Sequence, residues 1–357
     1  MLRFCLAFFS CCLATLASAD EIETLNIIRR ETGIPVLQAD PALTKAAQAH
    51  ADYLAALPGA GHGESAGQTG FTGTTPTARC KAQGDSGGCW EVLYESASAN
   101  PLAALRALLK GPLHRNVLLD PGMQRIGLGS ARLADGSRTV VITTGKTSLP
   151  RKEALLAHWP LAAGPLQAFS PQFASHEENP SPLPDGVAKS GYILSLHANA
   201  VLEIGEWLLL DQQGKPVSSR QLPTQENNWA MLMPNQPLHP GTRYDVRFSG
   251  TLAGQPVTRN WSFQTLARVA ATLGSATPGQ SAQRLPGIGD QLTIDLDSLS
   301  GKISYAANCF HIERVDGARL SMTYTGELKY GPECWVRIDD DEYGNARQLI
   351  QLGPPGS

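Results

Sequence analysis

Apolar residues recur at helical spacing in the first part of this chain, and beyond Thr147 they gather into short runs separated by turn residues. That change of pattern constrains the fold more than any other feature. It predicts an α+β layer first and β-structure afterwards. Asp20 with Glu23 resembles a capping box ahead of the stripe Ile22, Leu25 and Ile28, and Gly33 and Pro35 end that helix. Asp40-Pro41 then offers an N-cap and a proline at the first helical position. Leu43, Ala46, Ala47, His50, Leu54 and Leu57 share one face of the second helix. Asn100-Pro101 starts another helix carrying Leu102, Leu105, Leu108 and Leu109. Arg125 to Leu133 and Arg138 to Thr144 read as two strands about an Ala134-Asp135-Gly136 turn.

Residues 148–184, rich in Pro and Ser, are expected as a linker. Short strands follow at Tyr192 to Leu196, Glu206 to Asp211, Trp229 to Met233, Tyr244 to Ser249 and Thr258 to Gln264, a spacing that suits a β-sandwich over 185–267. Residues 268–357 are expected to form a small C-terminal β-rich domain of unknown type.

The N-terminus has the pattern of an export signal. Arg3 gives a positive start, Cys5 to Leu16 an apolar run, and Ala17-Ser18-Ala19 a small-residue cleavage site, so residues 1–19 are expected as signal peptide. The run is short for a membrane span, and no later segment reaches spanning length. A secreted or periplasmic chain follows as the expectation, and export puts the cysteines in an oxidising compartment. Cys80, Cys89, Cys309 and Cys334 remain after cleavage. Three pairings are open to them, and closeness along the chain favours Cys80–Cys89 and Cys309–Cys334. The net charge is −3 with no basic stripe, which argues against a nucleic-acid partner.

Three side chains in the first region could carry chemistry: His62 in Gly61-His62-Gly63-Glu64, Glu91 in Cys89-Trp90-Glu91-Val92, and His114 in Pro112-Leu113-His114-Arg115. Two imidazoles and a carboxylate can hold a divalent metal such as zinc, or run acid–base chemistry without one. Spacing alone does not bring them together. His50, on the apolar helix face, reads as a packed core histidine. Trp90 reads as a cleft wall or a core residue. Arg115 is expected to orient His114 or to bind backbone carbonyls. Ser65 lies near His62 but lacks the glycine frame of a hydrolase nucleophile.

Asn26 to Arg30, Gly33-Ile34-Pro35-Val36-Leu37, Ala46 to Ala51, His62, Gly70-Phe71-Thr72-Gly73, Arg79 to Gly84, Glu91, Gly111 to Leu118 and Arg125-Ile126-Gly127-Leu128-Gly129 occur in an order and spacing that resemble the CAP superfamily in its short bacterial form. This superfamily comprises the cysteine-rich secretory, antigen 5 and pathogenesis-related 1 proteins. The resemblance covers residues 20–147. It implies an α-β-α sandwich with a central cleft where histidines and acids converge, in some members around zinc. Carried over, it makes His62 and His114 the cleft histidines and Glu91 the central acid. A further acid that relatives place on the helix before the second histidine is missing here, where Lys110 stands; Glu64 or Glu95 is the candidate substitute. Pro240-Gly241-Thr242-Arg243-Tyr244 and Trp261-Ser262-Phe263-Gln264-Thr265 resemble bacterial Ig-like domains.

Three functions follow as expectations. The first is an exported protein binding a small or apolar extracellular ligand in the His/Glu cleft. The second is a metal-assisted hydrolase using the same cleft. The third is a protein that engages cell-envelope components through its β-domains, with the CAP domain as scaffold.

Overall fold

Asp40 begins the helix on which the first region is built. Its carboxylate accepts from the backbone N–H groups of Ala42 and Leu43, and Pro41 occupies the first helical position, as the sequence predicts. The computed structural model describes residues 21–96, 105, 108–134, 138–147, 153–161, 169–239, 241–265, 272–273, 291–295, 303–316, 319–325, 334–340 and 345–352. The expected signal peptide, the first residues of the helix expected from Asn100 and the side chain of Glu95 lie outside them. Two compact units are present: one within residues 1–165, 172–237 and 245–262, the other within 166–171, 238–244 and 263–357.

The first unit opens with helix α1 (21–31), strand β1 (Gln38–Ala39), helix α2 (Pro41–Ala56) and helix α3 (Pro76–Ala82). Strand β2 (Cys89–Ser96), helix α4 (Pro112–Leu119) and strands β3 (Arg125–Arg132) and β4 (Arg138–Gly145) follow. The sheet order is β1-β3-β4-β2, with β1 parallel to β3 and the remaining pairs antiparallel. Val140 to Gly145 are all buried, so both faces of β4 are covered. Ala47, Ala51 and Leu54 of α2 pack with Val141, which lies opposite Leu93 of β2. Residues alternate faces along a strand, so Glu91, two positions before Leu93, also points toward α2. Arg29 of α1, wholly buried, donates to the carbonyls of Pro35, Leu118, Asp120 and Met123 and so ties α1 to the end of α4.

α2 can lie this close to β3 only because two positions carry no side chain. A Cβ on Gly127 would overlap the Leu43–Thr44 peptide, with Leu43 O 2.5 Å away and the carbon and nitrogen nearer; one on Gly129 would overlap the Ala47–Gln48 peptide. The clash is with backbone, which cannot turn aside. Gly127→Ala is expected to lower unfolding stability by about 3 kcal/mol, at the upper end for overpacking, read from a urea midpoint.

Residues 148–184 contribute more than a connection. Strand β5 (Leu156–Trp159) joins strand β8 (Leu194–Ala198), and β6 (Gln172–Ala174) pairs with β7 (Lys189–Gly191). Strands β9 (Leu202–Leu210), β10 (Ser219–Leu222), β11 (Trp229–Pro234), β12 (Arg243–Leu252) and β13 (Gln255–Gln264) complete two sheets, ordered β10-β11-β8-β5 and β13-β12-β9. Every residue of β8 and β11 is buried, so the four-stranded sheet is covered on both faces. One face meets α4: Leu113 packs on the cluster of Phe173, Ile193, Trp229, Met231 and Met233, and His197 Nδ1 lies 3.2 Å from Asn116 Oδ1. On the other face His158 of β5 packs against Trp261 of β13, ring centroids 4.6 Å apart and planes tilted by 40°. The first region and these β-strands therefore form one packed body.

Two histidines make that body acid-sensitive, His197 fully buried and His158 partly buried. Burial, reinforced by Arg259, drives the His158 pKa from 6.5 down to about 4. Burial, with Arg115 and Arg29 nearby, drives that of His197 well below 6.5. His197 also faces Ser195, whose Oγ is 2.8 Å from Nε2, and stacks on Trp229. The unfolded chain takes up these protons near 6.5 and the folded one resists them. The stabilisation is therefore complete above pH 6.5 and is lost as pH falls toward 4. For His158 the loss is about 3 kcal/mol, and His158→Phe should flatten a plot of urea midpoint against pH over that interval.

The second unit is β-rich throughout its described residues. It includes β14 (Thr272–Leu273), β15 (Gln291–Asp295), β16 (Ile303–Asn308), β17 (Phe310–Asp316), β18 (Arg319–Tyr324), β19 (Cys334–Asp340) and β20 (Asn345–Leu352), in sheets ordered β14-β15-β18-β17 and β16-β19-β20. Cys309 is disulfide-bonded, and the side chain of its expected partner Cys334 lies outside the described residues.

Candidate functional site

His62 and Glu91, 29 residues apart in sequence, meet in the fold: His62 Nδ1 is 3.0 Å from Glu91 Oε1. Strand β2 aims Glu91 at α2, and the loop after α2 brings His62 over it. The carboxylate is nearly buried at 2% side-chain exposure, whereas the imidazole is 47% exposed. Burial by itself raises the Glu91 pKa. The hydrogen bond from His62, together with the charges of His50 and Arg79 and the Arg79 hydrogen bonds, outweighs burial and holds the carboxyl below its ordinary 4.5. An ionised Glu91 accepts, so His62 Nδ1 donates and its Nε2 is the ring nitrogen without a proton in the neutral form.

Arg79 was not singled out by sequence reasoning, yet it is the centre of the arrangement. It is 1% exposed, and Nη2 donates to both Glu91 oxygens at 2.8 Å. Nη1 donates to the carbonyls of His62 and Gly73, and Nε lies 3.7 Å from Glu64 Oε1. Glu64, expected as a substitute cleft acid, is instead fully buried. It accepts from the backbone N–H groups of Thr72 and Gly73 and lies 2.9 Å from His50 Nδ1. His50 is as buried as a core histidine, but it packs as a polar member of this network, with Nε2 3.0 Å from Gly61 O and 3.6 Å from Glu91 Oε1. The signal that could have marked Arg79 is its place directly before Cys80.

Cys80 and Cys89 form a disulfide, as expected, with Cα atoms 6.5 Å apart. The bridge ties α3, which carries Arg79, to β2, which carries Glu91, and both sulfurs sit in a core cluster with Leu43 and Ala46. Trp90 is not a core residue: alternation turns it away from Glu91, it is 40% exposed, and Lys146 Nζ lies 4.9 Å from its ring centroid.

His114, at the start of α4, has a different partner. Its Nδ1 is 3.0 Å from Glu178 Oε1, and the same carboxylate accepts from the backbone N–H groups of His114 and Leu113. Glu178 is buried and comes from the stretch expected as a linker. Next to it, Lys110 pairs with Glu177. Arg115 binds a backbone carbonyl, that of Ile193, at 2.9 Å.

His62, Glu91 and His114 do not fit a divalent ion as a set of three ligands. Among the described residues no three His, Cys, Asp or Glu side chains are grouped to hold one. Glu91 is taken up locally, because a guanidinium covers both of its oxygens. What the cluster can do is fix an imidazole rigidly at the surface.

Residues 22–144 match the family model described as cysteine-rich secretory protein family, the CAP domain. Among solved structures, an outer surface protein from Borrelia burgdorferi is similar at 22% identity, over 37% of this chain and 93% of that one, with a TM-score of 0.32. An extracellular protein containing an SCP domain from Bacillus anthracis is similar at 19% identity, over 37% of this chain and 41% of that one, with a TM-score of 0.31. No curated protein matches.

Proposed function

Starting from the CAP domain at residues 22–144, we propose that this chain is exported and that the domain binds a small or apolar extracellular ligand where His62 reaches the surface, with Glu91 and His114 as the other polar groups of the cleft. The observation that carries the reading is His62 itself. A half-exposed imidazole is held through Nδ1 by a buried, ionised carboxylate, which the Arg79 guanidinium and a disulfide hold in turn. Such an investment in fixing one surface side chain suits recognition. The exposed Nε2 accepts a hydrogen bond from a ligand hydroxyl or amine. The export pattern at residues 1–19 and the disulfide support a secreted or periplasmic location. The hydrolase reading loses support because Arg79 takes the carboxylate a catalytic metal would use.

The β-strands between Leu156 and Gln264 support an Ig-like reading of the sandwich. Taken in chain order, β5, β8, β9, β10, β11, β12 and β13 stand where strands A to G stand, since sheets ordered β10-β11-β8-β5 and β13-β12-β9 correspond to D-E-B-A and G-F-C.

The test is mass spectrometry of organic extracts from protein purified from the exported fraction, wild type beside His62→Ala. Wild type should carry a bound small molecule that His62→Ala loses. The variant should remain within about 1 kcal/mol of wild-type stability, because Arg79 still holds both oxygens of Glu91 and the imidazole removed is half-exposed. Extracts empty in both, or equally loaded in both, contradict the reading.

A further inference from the structure

The acid that pairs with His114 comes from outside the region matched to the CAP family: Glu178 lies 34 residues beyond Thr144, where the match ends. It is 1% exposed at the side chain, within the same packed unit. Its Oε1 accepts from the His114 backbone N–H at 2.7 Å and its Oε2 from that of Leu113 at 3.1 Å, so each oxygen already takes a donor as a carboxylate does at a helix start. His114 Nδ1 lies 3.0 Å from the same Oε1, where the negative charge of the carboxylate favours a proton on the nitrogen. Gly111 makes room for this. A Cβ there would stand 2.7 Å from Glu178 Cδ, 3.0 Å from His114 Nδ1 and closer still to Oε1, although the Gly111 φ of −72° suits any residue.

We infer that Glu178, on the connection between β6 and β7, is a positioning residue for the CAP cleft: it keeps the proton of His114 on Nδ1 and so presents a bare Nε2. The inference rests on the reading of His114 as a cleft histidine. It makes the two imidazoles alike, each with Nδ1 3.0 Å from a buried carboxylate, one on β2 and one on the β6–β7 connection. Both then accept hydrogen bonds, and the ligand part they recognise is a donor such as a hydroxyl or an amine.

The experiment is long-range proton–nitrogen NMR on the full chain labelled with ¹⁵N at histidine, the His114 signals being assigned by their absence in His114→Asn. Spectra are taken at a pH where the ring is neutral. Wild type should show Nδ1 protonated and Nε2 bare. Glu178→Ala should move the proton to Nε2. Gly111→Ala should do the same without altering either partner, because its Cβ displaces a flexible carboxylate end. A wild-type ring protonated on Nε2 overturns the inference whatever the variants do, and so does a wild-type signature kept in both variants. If no ligand binds, the binding reading fails while the tautomer result still stands.

Discussion

Arg79→Met is expected to lower unfolding stability by about 3–5 kcal/mol, the largest effect of any single substitution near the cleft. The guanidinium is buried. It holds both oxygens of Glu91, stands 3.7 Å from Glu64 and donates to two backbone carbonyls. Its removal leaves a carboxylate inside the protein with only His62 and His50 near it, and leaves the carbonyls of His62 and Gly73 without that donor. Methionine keeps the volume, so the loss measures charge and hydrogen bonding rather than a cavity. In a double-mutant cycle with Glu91→Leu, the second change should recover part of the loss, because it removes the stranded charge. Urea midpoints give both numbers. A loss below about 1 kcal/mol would show that Glu91 is not ionised against Arg79.

Arg115→Met is expected to cost a similar amount, about 3–5 kcal/mol, for a different reason. Arg115 fastens helix α4 to the chain entering β8. Nη2 donates to Ile193 O at 2.9 Å and Nη1 reaches Tyr192 Oη at 3.4 Å. The guanidinium carbon lies 5.8 Å from the Trp159 ring centroid and 5.4 Å from that of Tyr192. Burial lowers its pKa, with Tyr192 and Glu178 pulling the other way. Lysine should not rescue the loss, since an ammonium cannot serve a carbonyl and stack on two rings at once. Hydrogen exchange should show α4 and β8 losing protection together in the variant. Loss confined to α4 would mean that the sheet containing β8 stands independently of this contact.

The sequence was most informative where local chemistry decides structure. Asp40-Pro41 marked the start of α2 and Arg125 to Thr144 marked the β3–β4 pair, because capping and strand alternation are written in adjacent residues. The same holds for Cys80–Cys89, nine residues apart. Pairing of His62 with Glu91 needed the fold, and the family resemblance supplied it. Arg79 was missed because a single arginine in a short helix looks like a surface residue until burial is known. Glu178 was missed for a plainer reason: Pro and Ser around it read as a connector, and nothing in the spacing tells that β5 and β6 lie there or that the carboxylate reaches back to His114. Strand β10 also escaped notice, its pairing with β11 being long-range.

The account depends on the oxygens of Glu91 being held by Arg79 and His62 rather than by a metal ion. Carbon NMR titration of the metal-free full chain, labelled with ¹³C at the glutamate carboxyls and with Glu91 assigned by the loss of its signal in Glu91→Gln, tests this most directly. The expected result is a Glu91 carboxyl that titrates below the ordinary 4.5. A Glu91 carboxyl that titrates at or above 4.5 would contradict it.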